Sequence, residues 1–181
     1  NNLAGRGGND ILMGGAGADT WNGGVGIDRA SYTNAASRVV VDLADTSVNV
    51  GDAAGDTYSL IENVTGSLYN DWINGDAGAN NIHGYDGNDG LNGQAGNDTL
   101  TGGAGSDTFV FAKNHDADRV VEFENNEDKN RLLKIRLTSF ANAQTYATQS
   151  GDDVVFNFGD GDTLRIEGTT ISALADDVIF V

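Results

Sequence analysis

The chain has no cysteine, few basic residues and no apolar run long enough to cross a membrane. Without cysteine, the fold cannot be held by disulfides or by a thiolate metal site, and thiol chemistry is excluded. Apolar runs far shorter than the ~20 residues of a membrane helix argue against insertion into a bilayer. The amino terminus, Asn1-Asn2-Leu3, also lacks the charged region and apolar stretch of a secretory signal. Because it opens in the middle of a repeat, we expect the chain to be a fragment of a longer protein.

Positive charge is also scarce. The 181 residues include 10 basic and 27 acidic residues, which gives a net charge of -17 at pH 7. Such a chain repels itself and other polyanions, so neither nucleic acid nor an anionic membrane is an expected partner. A cation is the natural complement of this charge.

Glycine, by contrast, is abundant and unevenly placed. Of the 26 glycines, all but Gly151, Gly159, Gly161 and Gly168 precede residue 112. Glycine loses more conformational freedom on folding than any other residue, so this stretch needs something besides side-chain packing to fix its turns. The change in composition predicts a boundary near Lys113.

The glycine-rich stretch repeats every nine residues. Each unit is a run of glycines that ends in an acid or an amide, and a large apolar residue usually follows two positions later. The acidic position falls at Asp10, Asp19 and Asp28 in a first array, and at Asp71, Asn80, Asp89, Asp98 and Asp107 in a second. The apolar position holds Leu12, Trp21, Ile73, Ile82, Leu91, Leu100 and Phe109, and Ala30 is the exception.

This period predicts an all-β fold, a parallel β-roll (a β-helix solenoid) with 18 residues, or two units, per coil. A turn followed by a short strand directs the middle side chain of the strand inward. Stacked coils would then form two parallel sheets across a thin apolar column. Low-complexity disorder would explain the glycines but not the strict apolar position.

The pattern divides the chain into four segments. Residues 1–30 and 66–112 hold the two regular arrays, and residues 31–65 lose the register and predict irregular or wider coils between them. Residues 113–181 contain alternating segments that predict strands, with FGDGD as a hairpin turn: DRVVEFE, RLLKIRL, DDVVFNF, DTLRIEG and DDVIFV. Since a solenoid must close its exposed end against water, we expect an antiparallel β cap there.

The repeated oxygen side chains predict sites for a hard cation. Oxygen-rich turns without sulfur favour calcium, which accepts roughly six to eight oxygens at flexible distances. In a coil of this length each acid lies beside the acid one coil later, and the two would repel unless a cation lay between them. The predicted pairs are Asp10/Asp28, Asp71/Asp89, Asn80/Asp98 and Asp89/Asp107, with Asp19 in the same register and Asp98/Asp116 and Glu62/Asn80 as further candidates.

The units GGAGADTWN and GGAGSDTFV match a nine-residue GGxGxDxUx signature, in which U is a large apolar residue. On these motifs the chain resembles the RTX, or hemolysin-type calcium-binding, repeat family. The resemblance covers Asn1–Ala30 and Gly66–Phe111 closely, the residues between them loosely, and the tail only in general character. It implies a calcium-binding β-roll that holds roughly four to six ions.

In that family calcium lies between loops one coil apart, so the resemblance implies main-chain ligands. The earlier loop would give its second and fourth carbonyls and its aspartate, and the later loop its first and third carbonyls and its aspartate. One site would join Arg6, Gly8 and Asp10 with Gly23, Val25 and Asp28, and another Tyr85, Gly87 and Asp89 with Gly102, Ala104 and Asp107. The same rule adds the carbonyls of Asp76, Gly78, Gly84, Asp86, Gly93, Gln94, Ala95 and Gly96. The loop GSLYND departs from the glycine pattern and Asn80 is neutral, so weaker binding is expected at both.

The resemblance also implies export. Proteins of this family leave the bacterial cell through type I secretion machinery, which reads an uncleaved carboxy-terminal signal, and the ending ADDVIFV is similar to such a signal. We therefore expect a secreted, extracellular or cell-surface monomer. Its expected function is to fold on calcium outside the cell and to support the secretion, folding and stability of a larger protein.

A binding module is the alternative function. Similar repeats accompany alginate epimerases and adhesins, and some contact polysaccharide. In this chain Trp72, Tyr69 and Tyr85, with the basic residues Lys134 and Arg136, would form a strip for an anionic polysaccharide or a cell surface. The simpler interpretations are a Trp72 ring that lies over a neighbouring strand and basic side chains in solvent.

An enzyme is not expected in this fragment. The sequence has no histidine pair at metalloprotease spacing and no glycine-flanked serine of a nucleophile elbow. His83 and His115 are isolated and are interpreted as surface turn residues, and Asp160 and Asp162 as turn formers. Any catalytic domain is expected upstream of residue 1.

Overall fold

The computed structural model describes residues 1–124, 127–133 and 139–180. Nearly all regular structure is β, and the strands form sheets of nine, six and three members. Parallel strands pass alternately through the nine-stranded sheet and one of the other two, which winds the chain into a roll. No helix within the described ranges is long and apolar enough to cross a membrane.

The elements distribute among the sheets as follows. The nine-stranded sheet contains β2 (Ile11–Leu12), β4 (Arg29–Ser31), β7 (Asn63–Thr65), β9 (Asn81–Asp86), β11 (Thr99–Ala104), β13 (Ala117–Val121), β15 (Ala147–Ser150), β16 (Asp153–Gly159) and β17 (Asp162–Ile166). The six-stranded sheet contains β5 (Val40–Asp42), β8 (Trp72–Asn74), β10 (Gly90–Asn92), β12 (Thr108–Ala112), β14 (Lys129–Leu133) and β18 (Val178–Phe180). The three-stranded sheet contains β1 (Asn2–Gly7), β3 (Thr20–Val25) and β6 (Thr57–Ser59). Short helical turns lie at α1 (Phe140–Ala143) and, as 3-10 turns, at Thr46–Val48, Gly51–Ala53, Gln144–Tyr146 and Ala173–Asp176.

Strands in the regular arrays pair in parallel at a constant offset. Leu91 pairs with Ile73 on one side and with Phe109 on the other, and Ile82 pairs with Leu100. Each partner is 18 residues away in the sequence. Because this offset equals two repeat units, each side chain stacks on its counterpart from the next coil.

A narrow apolar column fills the roll. Alternate side chains of a strand point to opposite faces, so the middle residue of each short strand points inward. These inward residues are at most 2% exposed: Ile73, Ile82, Leu91, Leu100 and Phe109. Trp21 and Ala30 occupy the same positions in the first array and are fully buried. Burying a large apolar side chain contributes roughly 1.5–3 kcal/mol, so the column stabilises the stack but is thin.

Residues 32–62 form one wide coil with an aromatic centre. After β4 the chain enters the six-stranded sheet at β5, then crosses to the three-stranded sheet at β6 before it rejoins the nine-stranded sheet at β7. Tyr32 packs on Trp21 with ring centroids 5.5 Å apart, and its hydroxyl donates to Asp56 at 2.7 Å. Tyr58 packs on the same indole at 6.1 Å. Trp21 and Tyr32 are buried, and Tyr58 packs against them in the core of this coil.

The tail continues the roll and does not only cap it. Strands β13 and β14 pair in parallel with β11 and β12, and β17 and β18 extend the same two sheets in parallel. In the described part of the tail, antiparallel pairing is limited to β15, β16 and β17. Asp160 and Gly161 make the turn between β16 and β17 with φ of 55° and 102°. The expected antiparallel cap is therefore a set of further parallel strands with an antiparallel edge.

Candidate metal centre

Each acid of the repeats uses one carboxylate oxygen to hold the preceding coil. The main-chain N–H of Asp71 donates to Oδ1 of Asp89 at 2.7 Å, and that of Asp89 donates to Oδ1 of Asp107 at 2.9 Å. The same bond, at 2.8 Å, occurs in the other two predicted pairs, Asn80 with Asp98 and Asp10 with Asp28. The result is a ladder of main-chain to side-chain hydrogen bonds along the roll.

The other carboxylate oxygen has no protein partner. Among the described residues, seven aspartates have a buried Oδ2 that accepts no hydrogen bond: Asp10, Asp19, Asp28, Asp89, Asp98, Asp107 and Asp118. Leaving a charged oxygen buried and unpaired costs roughly 1–3 kcal/mol or more. A cation is the partner that removes this cost, because it favours the charged form.

The unpartnered oxygen points into the glycine turn of its own loop. In the loop Gly84–Asp89, a Cβ on Gly84 would lie 2.3 Å from Oδ2 of Asp89 and 2.6 Å from the carbonyl oxygen of Gly102. The carboxylate of one coil and a first-position carbonyl of the next therefore meet where only glycine leaves room. The carbonyl oxygens of Gly23, Gly84 and Gly93 likewise lie 2.4–2.5 Å from where a Cβ would stand on the first glycine of the loop one coil earlier.

Second- and fourth-position carbonyls face the later loop. The carbonyl oxygens of Tyr85 and Gly87 lie 1.9 and 2.0 Å from where a Cβ on Gly103 and Gly105 would stand. Three other predicted ligands point their carbonyls the same way: Arg6, Gly8 and Gly78. The third-position carbonyls of Val25 and Ala104 accept the N–H of Gly8 and Gly87 at 2.8 Å. The remaining residues predicted as carbonyl ligands stand at the second, third or fourth positions of their loops: Asp76, Asp86, Gln94, Ala95 and Gly96.

Three loops hold a residue other than glycine in the left-handed region at the second position. The φ angles are 77° for Arg6, 90° for Tyr85 and 72° for Gln94, close to the 101° and 103° of Gly24 and Gly103. This conformation costs an L-residue roughly 1–2 kcal/mol. The loops keep one shape whatever the residue, and that shape turns the carbonyls toward the next coil.

Two loops close on themselves instead. In GSLYND, Ser67 donates to Asp71 from both its N–H and its hydroxyl, and the N–H of Val39 donates to Oδ1 of Asp71 at 2.7 Å. In GDAGAN, Oδ1 of Asn80 accepts the N–H of Asp76 at 2.9 Å. Because the side-chain oxygens of Asp71 and Asn80 are already hydrogen-bonded, these two loops depend least on a cation.

Burial raises the pKa of four of the unpartnered carboxylates. The pKa of Asp89 rises to about 7, that of Asp98 and Asp107 to about 6, and that of Asp118 to about 8. Loss of hydration is the largest cause in each case, and neighbouring acids add to it. The N–H bonds of the ladder act in the opposite direction. Each site therefore favours a proton unless another positive charge is present.

The ladder also includes acids that the repeat did not reveal. Asp56 accepts the N–H of Asp19 at 2.8 Å, and Asp128 accepts that of Asp107 at 2.9 Å. Glu62 lies beside Asn80 as expected, because Nδ2 of Asn80 donates to the main-chain carbonyl of Glu62 at 2.8 Å, while the Glu62 carboxylate accepts the N–H of Asp28 at 2.8 Å.

The predicted pairing of Asp98 with Asp116 is wrong. This coil has 20 residues, so Asp118 takes the ladder position and accepts the N–H of Asp98 at 3.1 Å. Asp116 accepts the N–H of Gly96 at 3.2 Å. The sequence did contain a signal, because Asp118 precedes the buried Val120 by two residues, the spacing found throughout the arrays.

Trp72, the predicted sugar contact, lies over the neighbouring strand. A Cβ on Gly90 would stand 2.1 Å from its ring, and its Nε1 donates to Asn74 at 3.0 Å. Tyr69 and Tyr85 are 44% and 40% exposed. The predicted basic contacts Lys134 and Arg136 lie outside the described residues.

The donor set of the loops is composed of oxygen. In the part of the chain that the structure describes, no three histidine, aspartate or glutamate side chains group closely enough to hold a metal by themselves. A cation in these loops would depend on main-chain carbonyls together with one or two carboxylates. Oxygen donors of this kind suit a hard, flexible ion such as calcium.

A parallel β-roll whose glycine loops offer carboxylate and carbonyl oxygens between coils is a module for binding a hard cation. The model of the RTX calcium-binding nonapeptide repeat matches residues 1–30, 65–100 and 84–116, with 4 copies. The AlgE6R3 subunit of the mannuronan C5-epimerase from Azotobacter vinelandii is 30% identical over 65% of this chain and 76% of that one, with a TM-score of 0.50. The chain belongs to the RTX calcium-binding repeat family, whose repeats bind calcium.

Other comparisons add less. The extracellular lipase LipA of Serratia marcescens is 22% identical over 99% of this chain and 38% of that one, with a TM-score of 0.47. No curated protein sequence matches the chain at a significant level. The matched residues identify the chain as a calcium-binding repeat module.

The substitution Asp89→Asn is expected to weaken calcium binding more than Asp71→Asn does. An amide cannot supply the charged oxygen that Asp89 turns into its loop, whereas both oxygens of Asp71 already serve the fold. We expect the calcium midpoint to rise about tenfold in Asp89→Asn, the effect of about 1.4 kcal/mol, and less than about twofold in Asp71→Asn. Calorimetric titration measures both, and equal shifts would contradict the assignment of free oxygens.

Calcium affinity is expected to rise with pH between about 5.5 and 8. The pKa values of Asp89, Asp98 and Asp107 lie above the ordinary 3.8, so the calcium-free fold binds more protons than the unfolded chain. The stability that this gives in chelator is fully present below pH about 4 and is lost as pH rises through about 6 to 8. Calcium displaces those protons. Circular dichroism in chelator and calcium titration across the range test both trends, and a calcium-free β content that increases with pH would contradict them.

Proposed function

We propose that this chain is a calcium-triggered folding module of a larger secreted protein. In the cytosol it would stay unfolded and able to pass an export channel, and outside the cell calcium would fold it. The row of buried carboxylate oxygens without a partner carries this proposal. Because those oxygens are charged near neutral pH in the unfolded chain, folding without cations would bury them unpaired.

The energy scale supports such a switch. A net charge of -17 opposes compaction in the absence of cations. Extracellular calcium modules bind with dissociation constants of about 10⁻⁴ to 10⁻³ M, and calcium at about ten times that value adds roughly 1.4 kcal/mol per site. About four sites would contribute roughly 5–6 kcal/mol, which is comparable to the stability of a whole domain. At cytosolic calcium levels this contribution would be absent.

We assign calcium to the gaps between glycine-containing loops whose sixth residue has an unpartnered oxygen. One gap lies between the loop of Asp10 and that of Asp28, and another between the loops of Asp89 and Asp107. The carbonyls that face these gaps from both sides would complete the ligand set. Calcium there would supply the positive charge that neighbouring carboxylates require and would tie one coil to the next.

The carboxy-terminal strand supports an order of events in which export precedes folding. Residues Val178–Phe180 form β18, which pairs in parallel with β14 at the edge of the six-stranded sheet. A secretion signal in this segment would be free of main-chain pairing with β14 only while the chain is unfolded. Folding after export would then make the signal part of the roll.

Far-ultraviolet circular dichroism in chelator, titrated with calcium and separately with magnesium, tests the folding switch. We expect a cooperative change from a disordered to a β spectrum with calcium alone, because magnesium keeps its water and demands a small octahedral site. A chain that is already folded in chelator would contradict the switch and leave calcium as a local stabiliser.

A groove beside Trp72 supports a second function, the binding of an anionic saccharide. The groove has a volume of about 300 Å³. Its lining includes Trp72, the exposed Arg38 and the amides of Asn70 and Asn88, together with the buried aspartates Asp71 and Asp89. A guanidinium pairs with a sugar carboxylate, and amides suit hydroxyl groups. Since the AlgE6R3 relative comes from a mannuronan epimerase, mannuronate oligomers are the first probe to use.

Calorimetric titration of the calcium-loaded chain with mannuronate oligomers tests the groove. We expect weak binding that is lost in Arg38→Ala and Trp72→Ala. Arg119→Ala is the matched control, because Arg119 is also exposed but pairs with Glu167 at 2.6 Å in the tail. Binding that survives Arg38→Ala, or no binding at all, would overturn this second function.

A further inference from the structure

The loop Lys113–Asp118 has the shape of a repeat loop but contains no glycine. Asn114 and Asp116 stand at its second and fourth positions with φ of 66° and 59°, in the left-handed region that glycine occupies elsewhere. Asparagine and aspartate enter this region more readily than other non-glycine residues. The sequence KNHDAD therefore forms a repeat loop without glycine, even at the first position, which is glycine in every other repeat loop.

Contacts from the tail fix the shape of this loop. The side chain of Asp162 accepts the N–H of Asn114 at 3.0 Å and that of Asp116 at 3.2 Å. Asp162 was expected to be a turn former, and it instead ties the loop to the start of β17. The residue between the two anchored N–H groups is His115, so its position is set before any ligand binds.

His115 and Asp118 face each other with unsatisfied atoms. Nδ1 of His115 lies 3.9 Å from Oδ2 of Asp118, and the side chains are only 14% and 1% exposed. Both atoms are buried, and neither has a hydrogen-bond partner in the described part of the chain. A separation of 3.9 Å is too long for a hydrogen bond. Phe111 contacts the imidazole edge to face, with ring centroids 5.6 Å apart, and holds its orientation.

We propose that His115 and Asp118 form a site for a first-row transition-metal dication, with zinc the best match, distinct from the all-oxygen calcium loops. Imidazole nitrogen favours zinc over calcium, and a carboxylate oxygen supplies the charge. Two ligands of one zinc ion are about 3.3 Å apart at the tetrahedral angle, so a shared ion would draw Nδ1 of His115 and Oδ2 of Asp118 together by about 0.6 Å from the observed 3.9 Å. Main-chain oxygens or water complete the coordination, since the described residues contain no third side-chain donor here.

The chain provides its own control. His83, the other histidine, also has a buried Nδ1 without a partner among the described residues. It lies on β9 beside Thr65 and Thr101, and the structure records no carboxylate within 4.0 Å of its ring nitrogens in the described ranges. Both histidines therefore have a buried imidazole nitrogen. Within 4.0 Å, the structure records a carboxylate beside the ring nitrogens of His115 but not beside those of His83 in the described ranges.

Titration of the full chain with Co²⁺ at saturating calcium, followed by visible absorption, tests the site. We expect one equivalent to bind with the spectrum of a low-coordinate nitrogen and oxygen site. His115→Gln should lower the Co²⁺ affinity by at least about 100-fold, and His83→Gln should leave it unchanged. Zn²⁺ should displace Co²⁺ and magnesium should not. Equal Co²⁺ binding by all three proteins would mean general attraction to the acidic surface and would overturn the proposal.

A measurement on the unaltered chain avoids dependence on a variant that fails to fold. Long-range ¹H–¹⁵N spectra identify the nitrogens of both imidazoles before and after one equivalent of Zn²⁺. The expected result is a shift of Nδ1 of His115 only. A shift confined to His83, or no shift, would overturn the proposal. The outcome is independent of calcium-driven folding, because the spectra are recorded on the folded, calcium-loaded chain.

Discussion

The whole roll depends on how one carboxylate divides its two oxygens. At the sixth position of a loop, Oδ1 holds the main chain of the preceding coil and Oδ2 turns into the glycine turn of its own loop. The protein satisfies the first oxygen by itself, while the second requires a positive charge from outside. Since each short strand contributes a single inward side chain to the apolar column, the stack cannot rely on hydrophobic burial alone, and ion binding becomes a structural requirement.

The ladder bond, and not the length of the coil, is what stays constant along the chain. Main-chain N–H groups meet acids that are 18, 20, 21, 34 or 37 residues later, yet the bond remains between 2.7 and 3.1 Å. The additional residues of the longer coils lie in the segments between ladder positions, as in the wide coil that contains Tyr32 and Tyr58. A solenoid accepts such insertions because each coil contacts only its neighbours.

Departures from the glycine pattern change the chemistry of a loop in two directions. Ser67 and Asp76 close their loops by hydrogen bonds and reduce the need for a cation. In the tail, Asn114 and Asp116 keep the loop shape without glycine and place an imidazole beside Asp118. Loops of one backbone shape can thus close by internal hydrogen bonds, offer oxygens to calcium, or present an imidazole nitrogen. The side chains that replace the glycines decide among these.

The nine-residue period by itself determined the parallel roll, its inward apolar residues and the pairing of acids in the regular arrays. These features are local and repeated, so spacing alone is enough to place Asp89 beside Asp107 and Leu91 over Ile73. Which oxygens are free was decided only by the tertiary structure. The departure of GSLYND from the glycine pattern indicated a weaker site, but not that Ser67 hydrogen-bonds Asp71 while Oδ2 of Asp89 stays unpartnered. Three further features could not be predicted from the nine-residue spacing: Asp118 in place of Asp116 in the ladder, the parallel strands of the tail, and the proximity of His115 to Asp118. They depend on insertions that shift the register and on partners as distant as Asp162, 48 residues from the loop that it fixes.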